Sequence, residues 1–414
     1  MQLMELTPKQ QALREEIRAF AEETLRPGLM KHSREPSFPH EAYQEVCKRG
    51  YMGFMLPREY GGIEGGVTEY CILLEEMARV DHNVPWAIDV TVAVSSVLAR
   101  LGSKEQKERF LPRLIGGSLI PAFALSDLSG GSNLRQMGTF ASRAEDGRWT
   151  ITGRKSHIHN GALANLWLLF AASKDGQEAM LVEGRDRVTL ERQYQPFGFR
   201  CVPCHQIFFD GVTATDADLL GERGKGIAVA MNGALNYTRL GNASIVIGIA
   251  RAALDIAMSF SMGRRLQSGF VADQQAIQHI VADLVTELEA ASLLRWRACY
   301  MQDHGHPAIK EASQAKLYAT ERATHICGTL LRLLGAYGTY EEFPMTDYLA
   351  SCKTLELASG ASEIHRNNIA RETLKEYDVR FKSGDLLRWA QTDDQKAMLR
   401  LNERSAKVMD EFSL

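Results

Sequence analysis

Leu357-Ala358-Ser359-Gly360-Ala361-Ser362-Glu363-Ile364-His365-Arg366 closes the pattern from which the fold of this chain is read. Its small residues lead into a helix expected over residues 361–374. Working back from it, the apolar spacing predicts helices over 307–334, 274–303 and 227–262. The second of these carries Ile277, Ile280, Val281, Leu284, Leu288 and Ala291 on one face. Long antiparallel helices of this sort make a four-helix bundle.

Further towards the N-terminus the character of the chain changes twice. Short apolar or alternating runs at 139–143, 149–152, 166–172, 179–182, 188–190 and 206–209, punctuated by Gly and Asp, read as strands of a compact β domain. The first third reads as helices again. Thr7 is an N-cap candidate with Pro8 at the first helical position and Gln10 completing a capping box. Leu13, Ile17, Phe20 and Leu25 then recur at helical spacing until Pro27. Helices are also expected from Pro39 to Val46 and over 68–78, 87–101 and 104–114. The expected units are a helical domain at 1–120, a β domain at 121–230, a bundle at 231–380 and a helical extension at 381–414, with a helix over 386–412.

A chain of 414 residues with formal charge −3 carries no general signal for nucleic acid or an anionic membrane. The first residues lack a basic run followed by an apolar one, and no apolar stretch is read as a membrane span. Seven scattered cysteines suit reduced thiols and a cytoplasmic location. Cys201-Val202-Pro203-Cys204 has no second CxxC, so no metal site is assigned.

Several motifs then fall into one pattern. Leu56-Pro57-Arg58-Glu59-Tyr60-Gly61-Gly62 is a turn. Phe123-Ala124-Leu125-Ser126-Asp127-Leu128-Ser129-Gly130-Gly131-Ser132-Asn133 is a glycine-rich loop, and Gly153-Arg154-Lys155-Ser156-His157-Ile158-His159-Asn160 follows a strand. Arg264-Arg265-Leu266-Gln267-Ser268 precedes Gln274-Gln275, and Arg332-Leu333-Leu334-Gly335-Ala336-Tyr337-Gly338 ends a helix. Together they resemble the acyl-CoA dehydrogenase family, FAD enzymes that act on thioesters. The resemblance spans roughly residues 5–375 and implies an α+β multidomain fold: an N-terminal helical domain, a middle β-barrel or sandwich domain and a C-terminal four-helix bundle.

What the resemblance implies about the site follows residue by residue. Phe123, Leu125, Ser126, Gly131 and Ser132 take the place of the family's Ala-Leu-Thr-Glu-Pro-x-Ala-Gly-Ser-Asp loop against the flavin. His157, Ile158 and His159 stand where the family writes Trp/Phe-Ile-Thr, the aromatic on the flavin and the Thr near its N5. Arg264, Gln267, Gln274 and Gln275 match the turn that clamps the FAD of a neighbouring subunit. Arg332, Gly335 and Ala336 match a second contact to that cofactor, and Ala361 and Glu363 a third. Ser132, Asn236, Arg239, Ser359 and Gly360 fall at substrate positions.

The departures carry the chemistry. Ser359 replaces the family's catalytic Glu, the base that removes the α-proton. Some members, such as isovaleryl-CoA dehydrogenase, keep that Glu just before the Arg matched by Arg239; here the residue is Thr238. The backbone N–H at Ser359 would still serve the thioester carbonyl as in the family, whereas loss of a general base costs about a hundred- to ten-thousand-fold. His159 reads either as a neutral replacement for the Thr hydrogen bond or as a proton donor.

Three functions remain open on these residues. The first is an oxidoreductase working reductively; crotonobetainyl-CoA reductase likewise has a Ser/Gly-rich segment in place of the Glu. The second is desulfinase-like thioester chemistry without net oxidation. The third is a non-catalytic subunit paired with an active relative. The resemblance further implies an acyl thioester on CoA or a carrier protein, an electron-transferring flavoprotein as electron partner, and a homotetramer.

Overall fold

The computed structural model describes residues 6–63, 65–134, 136–231 and 235–383, with isolated positions beyond. Thr7 caps α1 (Pro8–Phe20) as its sequence predicts: its hydroxyl accepts from the Gln10 N–H, and the Gln10 side chain returns to the Thr7 N–H. The helical path continues through a wide turn at Ala21–Leu25 and a tight one at Arg26–Gly28, so it does not stop at Pro27 as expected but leads directly into α2, because Pro27 sits in the first turn of a new segment where no N–H is needed. There follow α2 (Leu29–Arg34), α3 (His40–Lys48), α4 (Val67–Ala78), α5 (Asn83–Leu101) and α6 (Lys104–Ile115). α5 begins before the expected 87 because Pro85 lies in its first turn, where its missing N–H has no helical partner to lose.

α5 and the stretch Tyr237–Gly263 are each long and apolar enough to cross a membrane, which corrects the reading that no such stretch exists. Of those two windows 78% and 56% are buried inside the protein, so their apolar faces form its core.

The middle region is a curled mixed sheet of β1 (Pro121–Ala124), β2 (Phe140–Arg143), β3 (Arg148–His159), β4 (Leu166–Ser173), β5 (Gly176–Glu183), β6 (Thr189–Tyr194) and β7 (Cys204–Thr215). Its order is β1-β4-β2-β3-β7-β6, with β5 on the other side of the path beside β4. Trp149, Ile151, Trp167 and Phe209 fill its own core. β1 is not legible in the sequence: it is short, starts with Pro, and is a strand only because Pro121–Ala124 pairs in parallel with Leu166–Leu169. Its carbonyl ends lead straight into the glycine-rich loop.

After α7 (Gly226–Val229) come α8 (Leu235–Gly263), the short ribbon β8 (Arg265–Leu266) and β9 (Gly269–Phe270), α9 (Gln275–Asp303), α10 (Ile309–Leu333), α11 (Met345–Leu357) and α12 (Ser362–Lys382). α10 packs against α8, α9, α11 and α12. The expected bundle therefore needs one correction. Its fourth member is α11, absent from the sequence reading, while the expected 361–374 helix is α12, which runs on to Lys382 along α10. α11 escapes notice because both its ends are masked by loop-like neighbours, Pro344 before it and Ala358-Ser359-Gly360 after it. The helix expected over 386–412 lies outside the described residues.

Glu75 of α4 ties the first region to the bundle. Arg295 of α9 donates to it at 2.5 Å and Arg251 of α8 at 2.9 Å. Burial alone would raise this carboxyl, but the two guanidinium groups outweigh it and hold it at about 2.

Candidate active site

The turn from α11 to α12 is built around Ser359. Its φ of 55° and that of Gly360, 104°, are both left-handed, so the chain reverses in two residues. Lys316 of α10 holds this reversal. Its ammonium donates to Glu356 O and to Gly360 O, both at 2.8 Å, one on either side of Ser359. The His365 Nε2–H donates to the same Gly360 O at 3.0 Å, and the Asn242 amide of α8 reaches Ala358 O at 3.5 Å. Among the described residues nothing accepts from the Ser359 N–H.

Burial brings the Lys316 amine down to about 7, with Glu356 opposing and Arg239 adding to the shift. Burial, with Lys316 and Arg239 beside it, takes His365 down to about 3. Sequence reading missed Lys316, His365 and Asn242. The signal for Lys316 was present: it shares a face of α10 with buried Ala312, Ala315, Ala319 and Ala323, a place where an unpaired lysine is costly.

The second half of the site is the end of β3 and the loop above it. Lys155 of β3 is buried and makes a 2.7 Å ion pair with Asp127 and a 3.0 Å bond to Leu125 O. Burial lowers this lysine, and Asp127 opposes. Asp127 also accepts from the Gly138 N–H at 2.7 Å and from the Thr139 hydroxyl at 2.8 Å. With the Ser156 N–H on Ser126 O at 2.9 Å, the loop is pinned at both ends over the strand. Gly131 comes close to Ser126: a Cβ there would stand 3.0 Å from the Ser126 hydroxyl. Phe123 packs on Phe170, Leu125 and Ile158 are buried, and Gly131 and Ser132 are exposed.

The two histidines differ. His157 is exposed, adopts φ 58°, and lies parallel to Tyr194 with ring centres 4.6 Å apart. His159 is half-buried, with its ring edge-on to Trp86 of α5 at 5.0 Å. Burial, and secondarily His157, lowers His159 to about 4. It is therefore neutral at neutral pH, which favours the hydrogen-bonding reading over a cationic donor.

α5 joins the two halves. Trp86 also packs on Phe199 at 5.3 Å, and the Asn160 amide donates to Ala87 O at 3.1 Å. Gly198 lies against α11, where a Cβ would come within 2.5 Å of Ser351 Cα. The end of β3, the start of α5 and α11 are thus brought together.

The remaining predicted positions fall elsewhere. Arg239 is buried near the turn, and burial lowers it to about 10. The side chain of Asn236 lies outside the described residues. Ala361 caps α12 and Glu363 is exposed in its first turn. Arg264, Gln267 and Gln275 are exposed, and the Gln274 amide donates to Phe270 O at 3.2 Å, bracing the ribbon turn. Arg332, Gly335 and Ala336 are exposed at the end of α10, and Phe260 meets Tyr337 at 5.8 Å, placing both turns at one end of the bundle. Neither Arg264 nor Arg332 has an ion-pair partner among the described residues, so two guanidinium groups stand available for a diphosphate.

Other carboxylates do not replace a base. Glu356 pairs with Lys353 at 2.8 Å, and Glu341 and Glu342 are exposed in a loop. Cys201 and Cys204 are both buried, and burial pushes Cys204 up to about 12.

Comparison with known proteins agrees with this layout. The chain matches the N-terminal domain of acyl-CoA dehydrogenase over residues 7–118, the middle domain over 122–212 and the C-terminal domain over 224–374. It is 32% identical to an acryloyl-CoA reductase (NADH) of Anaerotignum propionicum, covering 89% of this chain and 95% of that one. It is 33% identical to the short-chain specific acyl-CoA dehydrogenase of Bos taurus mitochondria, covering 91% and 92%. Butyryl-CoA dehydrogenase from Megasphaera elsdenii superposes with a TM-score of 0.86 at 28% identity, over 90% of this chain and 99% of that one. Matched through all three domains, the chain belongs to the acyl-CoA dehydrogenase family.

Proposed function

We infer that this chain is an FAD-dependent oxidoreductase acting on the Cα–Cβ bond of an acyl thioester, and that it works in the reductive direction. The observation that carries this reading is the Lys316 clamp: it fixes the carbonyls on both sides of Ser359, while the Ser359 N–H has no acceptor among the described residues. A preorganised donor of this kind stabilises negative charge developing on a thioester oxygen. It survives although the carboxylate base does not. FAD, when bound and reduced by an external electron donor, would supply the hydride delivered to Cβ.

In this reading the loop from Phe123 to Ser132 and the His157–His159 edge would seat the flavin ring, with neutral His159 as a hydrogen-bonding partner for it. Arg264 and Arg332 would hold the diphosphate of the cofactor in a neighbouring copy, within a homotetramer of the kind the family forms. Ser359 N–H would orient the thioester carbonyl, and Cα would take its proton from water, since the Lys316 ammonium is engaged by two backbone carbonyls and Ser359 and Thr238 carry no carboxyl. The acryloyl-CoA reductase relative supports the reductive sense by its name. The chain would be cytoplasmic and exchange electrons with an electron-transferring flavoprotein.

The test is anaerobic. Purified protein should be yellow, and its photoreduced flavin should reoxidise when short enoyl-CoA thioesters are added. Reduced flavin that persists across a broad enoyl panel would sink the reductive reading. Protein that stays colourless after incubation with FAD would point instead to a non-catalytic subunit.

A further inference from the structure

α12 runs past the body of the bundle, and its far end carries an apolar stripe that no described residue covers. The first turns of the helix are packed: Ser362, His365 and Asn368 are buried. From Leu374 to the end of the helix every residue is exposed, Leu374 at 68%. Leu374, Tyr377 and Phe381 recur at i, i+3 and i+7 and so share one face. Glu376 lies on the far side and pairs with Lys310 of α10, so the apolar face points away from the bundle. A stretch of helix this short is marginal in water unless something packs on it.

The chain that follows supplies a matching face. The Gln395 N–H donates to the Thr392 hydroxyl at 3.2 Å, and the Gln395 side chain accepts from the Thr392 N–H at 3.2 Å. This reciprocal pair is a capping box, the start signal of a helix. Ala397, Met398, Leu401, Val408, Met409 and Phe412 then recur at helical spacing, with Lys396, Arg400 and Lys407 on the other side. All of these but Met398 lie outside the described residues, and Met398 is 73% exposed. An amphipathic helix of this pattern buries its apolar face. Gly384 follows the C-cap Ser383, a place where chains leave a helix. The linker 384–391 can reach up to about 28 Å, enough to turn the chain back along α12. The match to the family's C-terminal domain stops at residue 374, where the exposure begins, and butyryl-CoA dehydrogenase is matched over 99% of its length by 90% of this chain. Both apolar faces thus stand at or beyond the end of what the family shares, so a subunit contact common to the family does not account for them.

We propose that residues 392–412 form an arm that folds back onto the face made by Leu374, Tyr377 and Phe381 of the same chain, closing its end as a helical hairpin. The arm braces α12 from its far end. That helix begins at the Ser359 turn, where His365 holds Gly360 O, so the brace steadies the element that carries one wall of the turn.

The experiment uses the full FAD-loaded chain, with limited trypsin digestion and amide hydrogen exchange followed by mass spectrometry. The arm offers trypsin Lys396, Arg400 and Lys407, which docking should shield. Leu374→Asp with Phe381→Asp should speed the first cleavage in the arm by about tenfold or more. In the reverse direction, Leu401→Asp with Val408→Asp should speed exchange over residues 374–383 by a similar factor, because the partner face is then uncovered. Flavin absorbance matching the parent's shows that the body of each variant is folded, since neither pair of substitutions touches the site. A parent arm cleaved as fast as the variant's, or exchange over 374–383 that the arm substitutions leave unchanged, would overturn the docking. So would a fall in assembly mass by light scattering in either variant, because the face would then be covering a second copy.

Discussion

The Lys316 ammonium and the Gly360 carbonyl oxygen lie 2.8 Å apart, and the same ammonium reaches Glu356 O at 2.8 Å. A helix of the bundle thereby dictates the shape of a turn forty residues on in the chain. Both carbonyls accept from one donor, and the Ser359 N–H between them has no acceptor among the described residues. Lys316 acts here through Ser359, as a positioning residue.

Lys316→Met should expose this role. Leaving buried carbonyls without their donor costs about 1–3 kcal/mol of stability, measurable by urea unfolding. Acyl-CoA affinity should fall about tenfold as the Ser359 N–H loses its direction, and Lys316→Arg should not restore it, because the planar guanidinium is too large for the same place. Affinity unchanged in folded Lys316→Met would show that the turn keeps its form unaided.

Ser359→Glu should create dehydrogenase activity. The position already adopts φ 55°, so the backbone need not change, and a carboxylate would enter the site beside the existing donor. Flavin reduction by a saturated acyl-CoA should accelerate by about a hundredfold or more over the parent. If the rate does not rise, the missing base is not what limits oxidation.

For His159, neutrality makes a sharp expectation. His159→Ala should slow flavin reoxidation by about tenfold, and His159→Thr should recover most of the loss, since either residue only needs to hydrogen-bond. A parent rate that tracks an ionisation between about pH 5 and 8, and that Thr fails to restore, would return the role to a proton donor.

Acid should destabilise the protein through His365. Its folded pKa is lowered to about 3 by burial and by nearby Lys316 and Arg239. Between that value and the ordinary histidine value the unfolded chain binds the extra proton and the folded chain does not, so stability falls as pH falls through that window. The second N–H formed on Nδ1 would have no acceptor. His365→Asn should remove on the order of 3 kcal/mol of the pH dependence of unfolding. An unaltered dependence, followed by denaturant melts over the same range, would reject this origin.

Arg264→Ala and Arg332→Ala should each weaken FAD retention by about tenfold or more, seen as flavin fluorescence released on dilution. The double variant should lose more than either alone. Tight flavin in the double variant would mean that the diphosphate is held elsewhere.

How much of this was legible beforehand depended on the distance between partners. The Thr7 cap with Pro8 and Gln10 and the glycine-rich loop could be read because each is governed by neighbours within a few residues. β1 and α11 could not: the first is a strand only when β4 lies beside it, and the second depends on packing against α8 and α10. The candidate flavin loop is legible as a motif, but the buried Asp127–Lys155 ion pair that pins it joins two separate segments and exists only once the loop packs on β3.

The sequence by itself determined the family, the order of helical, β and helical regions, and the loss of the carboxylate at Ser359, because motif spacing and residue identity are written along the chain. Only the tertiary structure decided what surrounds that loss. Lys316 at the turn and the low pKa of His159 both arise from burial against distant segments. Desolvation and long-range hydrogen bonding depend on what fills the space around a group, and that is settled only when the helices have packed.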